Sequence, residues 1–276
     1  MFNFIIENKL QKFKMEAKMT KLNNNIIFDP TLPGEKIESG HLHPLTLVMR
    51  DLEKVFKSMG FMILEGPELE SDYYNFEALN IPKTHPARDM QDTFYIDGHP
   101  DLVMRTQTSN MQVRAMEKYG APLRCAVIGA TYRNEATDMS HEHSFHQIEG
   151  LMVDEKISLA NLKAVLEEML SGIYQQDVRV RIRPGYFPFV EPGLEVDMSC
   201  TFCKGKGCSV CKKTGWVEML GAGLVHPNVL KHGGIDPKKY QGFAFGTGIE
   251  RLTMLKYGIN DIRLFHSGDL HFLKQF

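Results

Sequence analysis

The chain has 276 residues, 43% of them hydrophobic and 24% charged, with a formal net charge of −2. That length carries one large domain or two small ones with a full core, no apolar run reaches membrane-spanning length, and the start MFNFIIENK lacks the basic region of a signal peptide, so a cytoplasmic protein with no membrane partner is expected. The near-neutral charge also removes whole-surface attraction to nucleic acid, leaving such contacts to a local patch or a partner.

Residues 1–36 differ in character from the rest. They are Lys-rich through Lys21, then Asn-rich, and they break at Asp29-Pro30 and Pro33-Gly34, which suggests a short basic helical arm or linker before a domain spanning 37–276. A helix is expected after His43-Pro44, because proline is comfortable in a first turn. Leu45, Val48, Leu52, Val55, Phe56 and Met59 recur at helical spacing up to Gly60. Phe61 to Leu64 reads as a strand that breaks at Gly66-Pro67. Polar residues and turn formers follow through Arg88, then MQDTFYID and the strand-like LVMRTQTS.

Two extended runs come next, Cys125–Glu135 and Phe145–Asp154, joined by a polar loop containing an Asp, a Glu and two His. Side chains alternate along a strand, so Arg133 shares a face with Glu135, and Phe145 shares one with Gln147 and Glu149. Paired as a hairpin, these runs gather a cation, two carboxylates, an amide and the loop His141 over one sheet surface. Such a set can hold a phosphate-bearing nucleotide beside a small amine, although exposed ion pairs on a solvated hairpin would look the same in sequence. Cys125, between apolar neighbours, reads as a buried core thiol.

Ser158 can cap a second helix carrying Leu159, Leu162, Val165, Leu166, Met169 and Ile173 on one side. Val178, Val180 and Ile182 alternate with Arg179, Arg181 and Arg183 up to Pro184, as in a half-buried strand. Further strands are expected at Leu194–Met198, Trp216–Leu220 and Gly242–Gly246, with a last helix from Ile249 to Tyr257 ended by Gly258. Helices separated by strands without regular alternation indicate an α+β domain with a mainly antiparallel sheet.

Cys200-x2-Cys203-x4-Cys208-x2-Cys211 is the strongest chemical signal. Two CxxC pairs with Gly205 and Gly207 between them suit tetrahedral zinc, with an iron site or metal-free thiols as alternatives. The segment 199–215 reads as a metal-binding hairpin tip. Phe187-Pro188-Phe189 sets two rings on a stiffened extended segment, a pattern that serves a core as readily as a pocket. GTGIER, Gly246 to Arg251, places two glycines before a helix and an arginine one turn into it. It is not a dinucleotide fingerprint, because Arg251 stands where the third glycine belongs. Glycines let backbone approach a flat ligand, and the arginine can reach a phosphate.

Arg133-x-Glu135 on a hairpin, followed late by Gly-x-Gly-x-x-Arg, resembles motifs 2 and 3 of class II aminoacyl-tRNA synthetases, and the helix, strand and Pro67 resemble motif 1. HPLTLVMRDLEKVFKSMGF, RTQTSNMQVR, FHQIEGLMVD, YFPFVEPGLEVD and GFAFGTGIERLTMLKYGINDIR are similar to the α-subunit family of bacterial phenylalanyl-tRNA synthetases, over residues 29–276. The resemblance implies a class II catalytic domain that activates phenylalanine with ATP and transfers it to tRNA(Phe). Its implied partner is a β subunit in an α2β2 heterotetramer.

By the same resemblance Arg133 pairs with the α-phosphate and the amino-acid carboxylate region, Arg251 with the γ-phosphate, and Glu135 with the adenine amino group. His141 sits by the outer phosphates, while Ser109, Gln147 and Glu149 hold the substrate ammonium. Phe187 and Phe189 line the side-chain pocket, with Ala244 and Gly246 leaving room for the ring. Glu191 matches a Mg²⁺ ligand shared with the β subunit, and the four cysteines match an insertion some bacterial members carry. The family's α subunit begins with a long helical coiled-coil arm. The sequence before Pro30 has room for the last turns of it only, whether this sequence is a piece of a longer chain or the arm has been lost. Two rival readings are a regulatory paralogue binding amino acid or nucleotide, which would be expected to lose Arg133, Glu135 or Arg251, and a zinc-dependent RNA-binding module using Lys204, Lys206, Lys212 and Lys213.

Overall fold

A computed structural model describes residues 40–88 and 93–276; the arm expected over 1–36 lies outside the described residues, as do Met90 to Asp92 of MQDTFYID. The first helix, α1, runs from Pro44 to Ser58, with His43 as its cap. The Nδ1 of His43 accepts from the Leu45 N–H at 3.2 Å, which leaves its Nε2–H to donate to the Phe265 carbonyl at 3.0 Å. Leu45, Val48, Leu52 and Phe56 are buried, so the expected apolar face is the packed one. Gly60, at φ 79°, turns the chain out of the helix into β1, Met62–Leu64.

A small sheet follows, made of β2 (Leu69–Ser71), β3 (Tyr95–Ile96) and β4 (His99–Met104) in the order β2-β4-β3. The short helix α2 spans Asp72–Asn75, and α3 spans Asn110–Tyr119. The sequence reading assigned no helix to Asn110–Tyr119. Asn110 and Gln112 are fully buried there alongside Met111, Val113, Ala115 and Met116, so polar residues interrupt the apolar period that marks a buried face.

The hairpin pairs as expected: β5 (Leu123–Tyr132) runs antiparallel to β6 (Ser144–Asp154), with Val127 opposite Glu149 and Gly129 opposite Gln147. Ser158 caps α4, Leu159–Tyr174, through a reciprocal pair of hydrogen bonds with Asn161. Leu159, expected on the buried side, is exposed, because it opens the helix before the packed face begins.

The strands β7 (Val180–Phe187), β8 (Val190–Ser199), β9 (Trp216–Val225) and β10 (Gln241–Gly248) complete a seven-stranded sheet ordered β1-β5-β6-β10-β9-β8-β7. Among the described residues, β1 against β5 is the one parallel pair. β7 does not stop at Pro184 as expected: Pro184 pairs with Leu194 and the strand continues to Phe187. β7 is the sheet's edge, where proline's missing N–H costs no ladder bond. Two short helices, α5 (Pro227–His232) and α7 (Leu270–Leu273), were not expected, while α6 matches expectation at Ile249–Tyr257 before Gly258.

Helices α1, α4 and α6 cover one sheet face, burying Phe56, Leu162, Leu166, Phe243, Phe245 and Leu252 together. The opposite face packs Cys125, Leu151, Val153 and Ala244 against Val113, Met116 and Leu230 of α3 and α5. Toward the loop of the hairpin this second face turns polar, through Glu149 and Gln147 on β6. No described helix is long and apolar enough to cross a membrane.

Candidate active site

Arg133 leaves the end of β5 with its N–H on the His143 carbonyl at 2.9 Å. Its Nε donates to the Thr106 carbonyl at 3.2 Å, its Nη1 lies 3.7 Å from a Glu135 oxygen, and its guanidinium sits 5.1 Å from the Phe145 ring centre. Burial lowers its pKa and Glu135 opposes the shift. The head group is therefore held in place and only partly neutralised, ready for an anion.

Further into the sheet, on β6, lies Glu149, 4% exposed. Ser109 donates to it at 3.0 Å, and Gln112 donates through a short hydrogen bond. Burial nonetheless pushes its carboxyl up to about 7, with Gln112, Ser109 and Thr108 pulling the other way. Gln147 on the same face accepts from the Thr108 N–H at 3.2 Å. Both β6 residues thus meet the turn before α3, which is why Thr106 to Ser109 belongs to the site. That turn is itself held by Arg105, buried with no ion pair among the described residues and donating to the carbonyls of Gly66 and Ala130.

Small residues make the space. Gly246 lies opposite Glu149 on β10, and a Cβ there would stand 2.6 Å from the Glu149 carboxylate. On β9, a Cβ at Gly221 would come 2.8 Å from the Phe187 ring. Phe187 therefore lies over the glycine, with Phe189 stacked at 6.0 Å between centroids.

A cavity of about 590 Å³ results, a size that suits a small ligand. Ser109, Gln147, Glu149, Phe187, Phe189, Ala244 and Gly246, all named from sequence, line it together. So do Gln107, His85 and Tyr186, which sequence reasoning missed; Gln107 carries no signal beyond its place in RTQTS.

A second cavity of about 520 Å³ is lined by Arg133, Glu135, His141 and Arg251, among others. Arg251, exposed in the first turn of α6, makes no ion pair among the described residues. His141 lies 3.0 Å from Asp138, whose carboxyl His141 holds down to about 2. Arg133, Gln147 and Gly246 line both cavities, so the two spaces meet at these residues. Glu191 is exposed near the start of β8 and lines neither.

Behind Arg251, Glu250 is 2% exposed and accepts from both the backbone N–H and the Nδ1 of His146 at 2.9 Å. It ties the start of α6 to β6, a residue from Gln147. Glu250→Ala leaves a buried N–H without an acceptor, so a loss of about 2 kcal/mol is expected. Thermal unfolding should fall by roughly 4–8 °C for a domain of this size; an unchanged midpoint would show that the tie carries no stability.

The four cysteine sulfurs lie within 4.8 Å of one another at the tip of the β8–β9 hairpin. Three of the separations are 3.8 Å. Four thiolates about 2.3 Å from a central ion in a tetrahedron stand about 3.8 Å apart, so the set fits zinc. Backbone N–H groups of Cys208 and Gly215 point at the Cys211 sulfur at 3.0 and 3.3 Å and lower its pKa to about 6, favouring the thiolate that binds metal.

Comparison with known proteins adds ancestry to this geometry. The model of the tRNA synthetases class II core domain (F) matches residues 27–276. The phenylalanine–tRNA ligase alpha subunit of Bacillus pumilus is 54% identical over 273 residues, covering 98% of this chain and 78% of that protein. The alpha subunit from Methylococcus capsulatus is 51% identical over 275 residues, covering 100% and 80%. That from Desulfotalea psychrophila is 57% identical over 248 residues, covering 90% and 72%. Among solved structures, pyrrolysyl-tRNA synthetase from Desulfitobacterium hafniense superimposes with a TM-score of 0.61 at 18% identity, over 83% of this chain and 75% of that one, a likeness of fold.

Proposed function

The chain belongs to the family of phenylalanine–tRNA ligase alpha subunits, and from that premise we propose how its two joined cavities divide the reaction. Phenylalanine occupies the first cavity, its ring against Phe187 and Phe189 and its ammonium on Glu149, Ser109 and Gln147. ATP occupies the second, its α-phosphate by Arg133, its outer phosphates by His141 and Arg251, and its adenine amino group by Glu135. A single observation carries this reading: Arg133 and Gln147 line both spaces, so the carboxylate of one ligand and the α-phosphorus of the other meet where the cavities join.

Activation then needs neither a side-chain nucleophile nor a general base. A carboxylate oxygen attacks the α-phosphorus, the bond to the bridging oxygen breaks, and pyrophosphate leaves with the electron pair. Arg133 balances the charge that grows at phosphorus, and Arg251 the charge on the leaving group. In the second step a terminal ribose hydroxyl of tRNA(Phe) attacks the activated carbonyl, and AMP departs. Magnesium, when bound, adds positive charge to the phosphates. Glu191, which the resemblance matches to a ligand of that ion, is exposed and lines neither cavity, so among the described residues nothing ties it to the phosphates.

The alpha-subunit family implies a β subunit, and an α2β2 assembly working in the cytoplasm follows from that reading. The cysteine set takes zinc. Retention of Arg133, Glu135 and Arg251 favours an enzyme over a regulatory paralogue. The test is amino-acid-dependent ATP–pyrophosphate exchange by the α–β complex. Exchange driven by phenylalanine, and weakly by tyrosine, is expected. No exchange with any amino acid, in an assembled and metal-replete complex, would refute the scheme.

The pocket gives its own prediction. Ala244 is buried beside Gly223 and Leu151, so its methyl group bounds the ring's space. Ala244→Gly is expected to admit phenylalanines with an added para substituent, and a larger residue to close the pocket. Exchange rates with para-substituted analogues check this; unchanged discrimination in the glycine variant would move the pocket's end elsewhere.

A further inference from the structure

We propose that the cysteine knuckle is a wall of the nucleotide site, with Val210 as its contact residue. This rests on the reading that ATP occupies the second cavity and metal the four sulfurs.

Val210 stands between Cys208 and Cys211 and is 45% exposed, an apolar side chain on a turn whose neighbours Ser209, Lys212 and Lys213 are polar. It nevertheless lines the second cavity, together with Val217 and Met219 from the first part of β9 and with Arg251. The root of the knuckle is continuous with that wall, because Cys200 and Cys211 are buried in the same core as Val217 and Met219. A methyl-bearing side chain here suits the base or sugar of a nucleotide, and the arginines suit its phosphates.

The turn that carries Val210 is held by the sulfurs. Cys211 Sγ receives the Cys208 N–H at 3.0 Å, and the Lys213 N–H closes on the Cys208 carbonyl at 2.8 Å. Lys212 and Lys213 both adopt positive φ, 49° and 63°, a conformation that lysine disfavours. Such a turn needs an external clamp, and four thiolates on one ion supply it. Releasing the ion lets both lysines return to ordinary backbone angles, which withdraws Val210 from the cavity.

Two variants of the α–β complex test this, with ATP and phenylalanine affinity read by calorimetry and bound zinc by elemental analysis. Val210→Ala is expected to keep its zinc and bind phenylalanine as the parent does, while ATP affinity falls about three- to tenfold. Cys208→Ser is expected to lose zinc and to weaken ATP binding by about tenfold or more, again with phenylalanine affinity retained. Val210→Ala with full zinc and parental ATP affinity would overturn the proposal, whether or not the cysteine variant folds. A parent complex that binds ATP but holds no zinc would overturn the metal's part in it. A parent complex that fails to bind ATP at all would instead sink the nucleotide assignment of the second cavity, and this proposal with it.

Discussion

Arg133→Ala is expected to reduce phenylalanine-dependent pyrophosphate exchange by about a thousandfold in kcat, the scale on which a preorganised charge aimed at a developing anion acts. Arg133 is the cation that lines both cavities. Its Nε is anchored on the Thr106 carbonyl and its flat head lies near Phe145, so the charge is oriented before substrate arrives. Lysine carries the same charge but cannot donate from a planar fork. Arg133→Lys should therefore recover only part of the rate. Arg251→Ala should raise the KM for ATP and lower kcat as well, by less than Arg133→Ala does, because that arginine meets the outer phosphates from the second cavity alone. A kcat within tenfold of the parent for Arg133→Ala, with an unchanged unfolding temperature, would remove Arg133 from the reacting centre.

Glu149→Gln is the second large effect. A buried carboxylate facing a substrate ammonium forms a pair that is costly to break from one side, about 3–5 kcal/mol. The KM for phenylalanine should then rise on the order of a thousandfold. The pH dependence identifies the group. Burial pushes the Glu149 carboxyl up to about 7, so in the empty protein it is protonated below that value. Binding an ammonium requires the ionised form. Phenylalanine affinity in the parent should therefore drop about tenfold for each pH unit below 7, and Glu149→Gln should flatten that slope.

Stability runs the other way. A carboxyl whose folded pKa is raised from 4.5 to about 7 stabilises the fold fully below 4.5, and that contribution is lost as pH rises through 7. Thermal unfolding of the empty complex should show this loss between about pH 4.5 and 7, and bound phenylalanine should offset it at the upper end. A flat affinity profile between pH 5.5 and 8 in the parent would show that Glu149 does not hold the ammonium.

Local pattern made much of this protein legible in its sequence. Alternation along Cys125–Glu135 and Phe145–Asp154 announced the hairpin and assigned Gln147 and Glu149 to one face, because a strand's period of two depends on nothing outside the strand. The CxxC spacings announced the sulfur cluster. Pro44 and Gly258 marked helix ends, because their backbone preferences are their own. Arg133, Glu135, His141 and Arg251, which stand out by motif and charge in the sequence, line one cavity.

Tertiary packing decided the rest. α3 escaped notice because Asn110 and Gln112 are buried, Asn110 on Glu70 from the small sheet and Gln112 on Glu149 from β6, and no helical period records a partner that distant. Pro184 looked like a strand's end until its place on the sheet edge made its missing N–H harmless. The Glu149 carboxyl is displaced by the desolvation that α3 and β10 impose together, and Gly246 matters because that carboxylate lies against it. Val210 lines the second cavity because β9, from which the cysteine turn departs, pairs beside β10 in the sheet. Periodicity and spacing are written into consecutive residues, whereas burial and charge environment are set by residues brought together from across the chain.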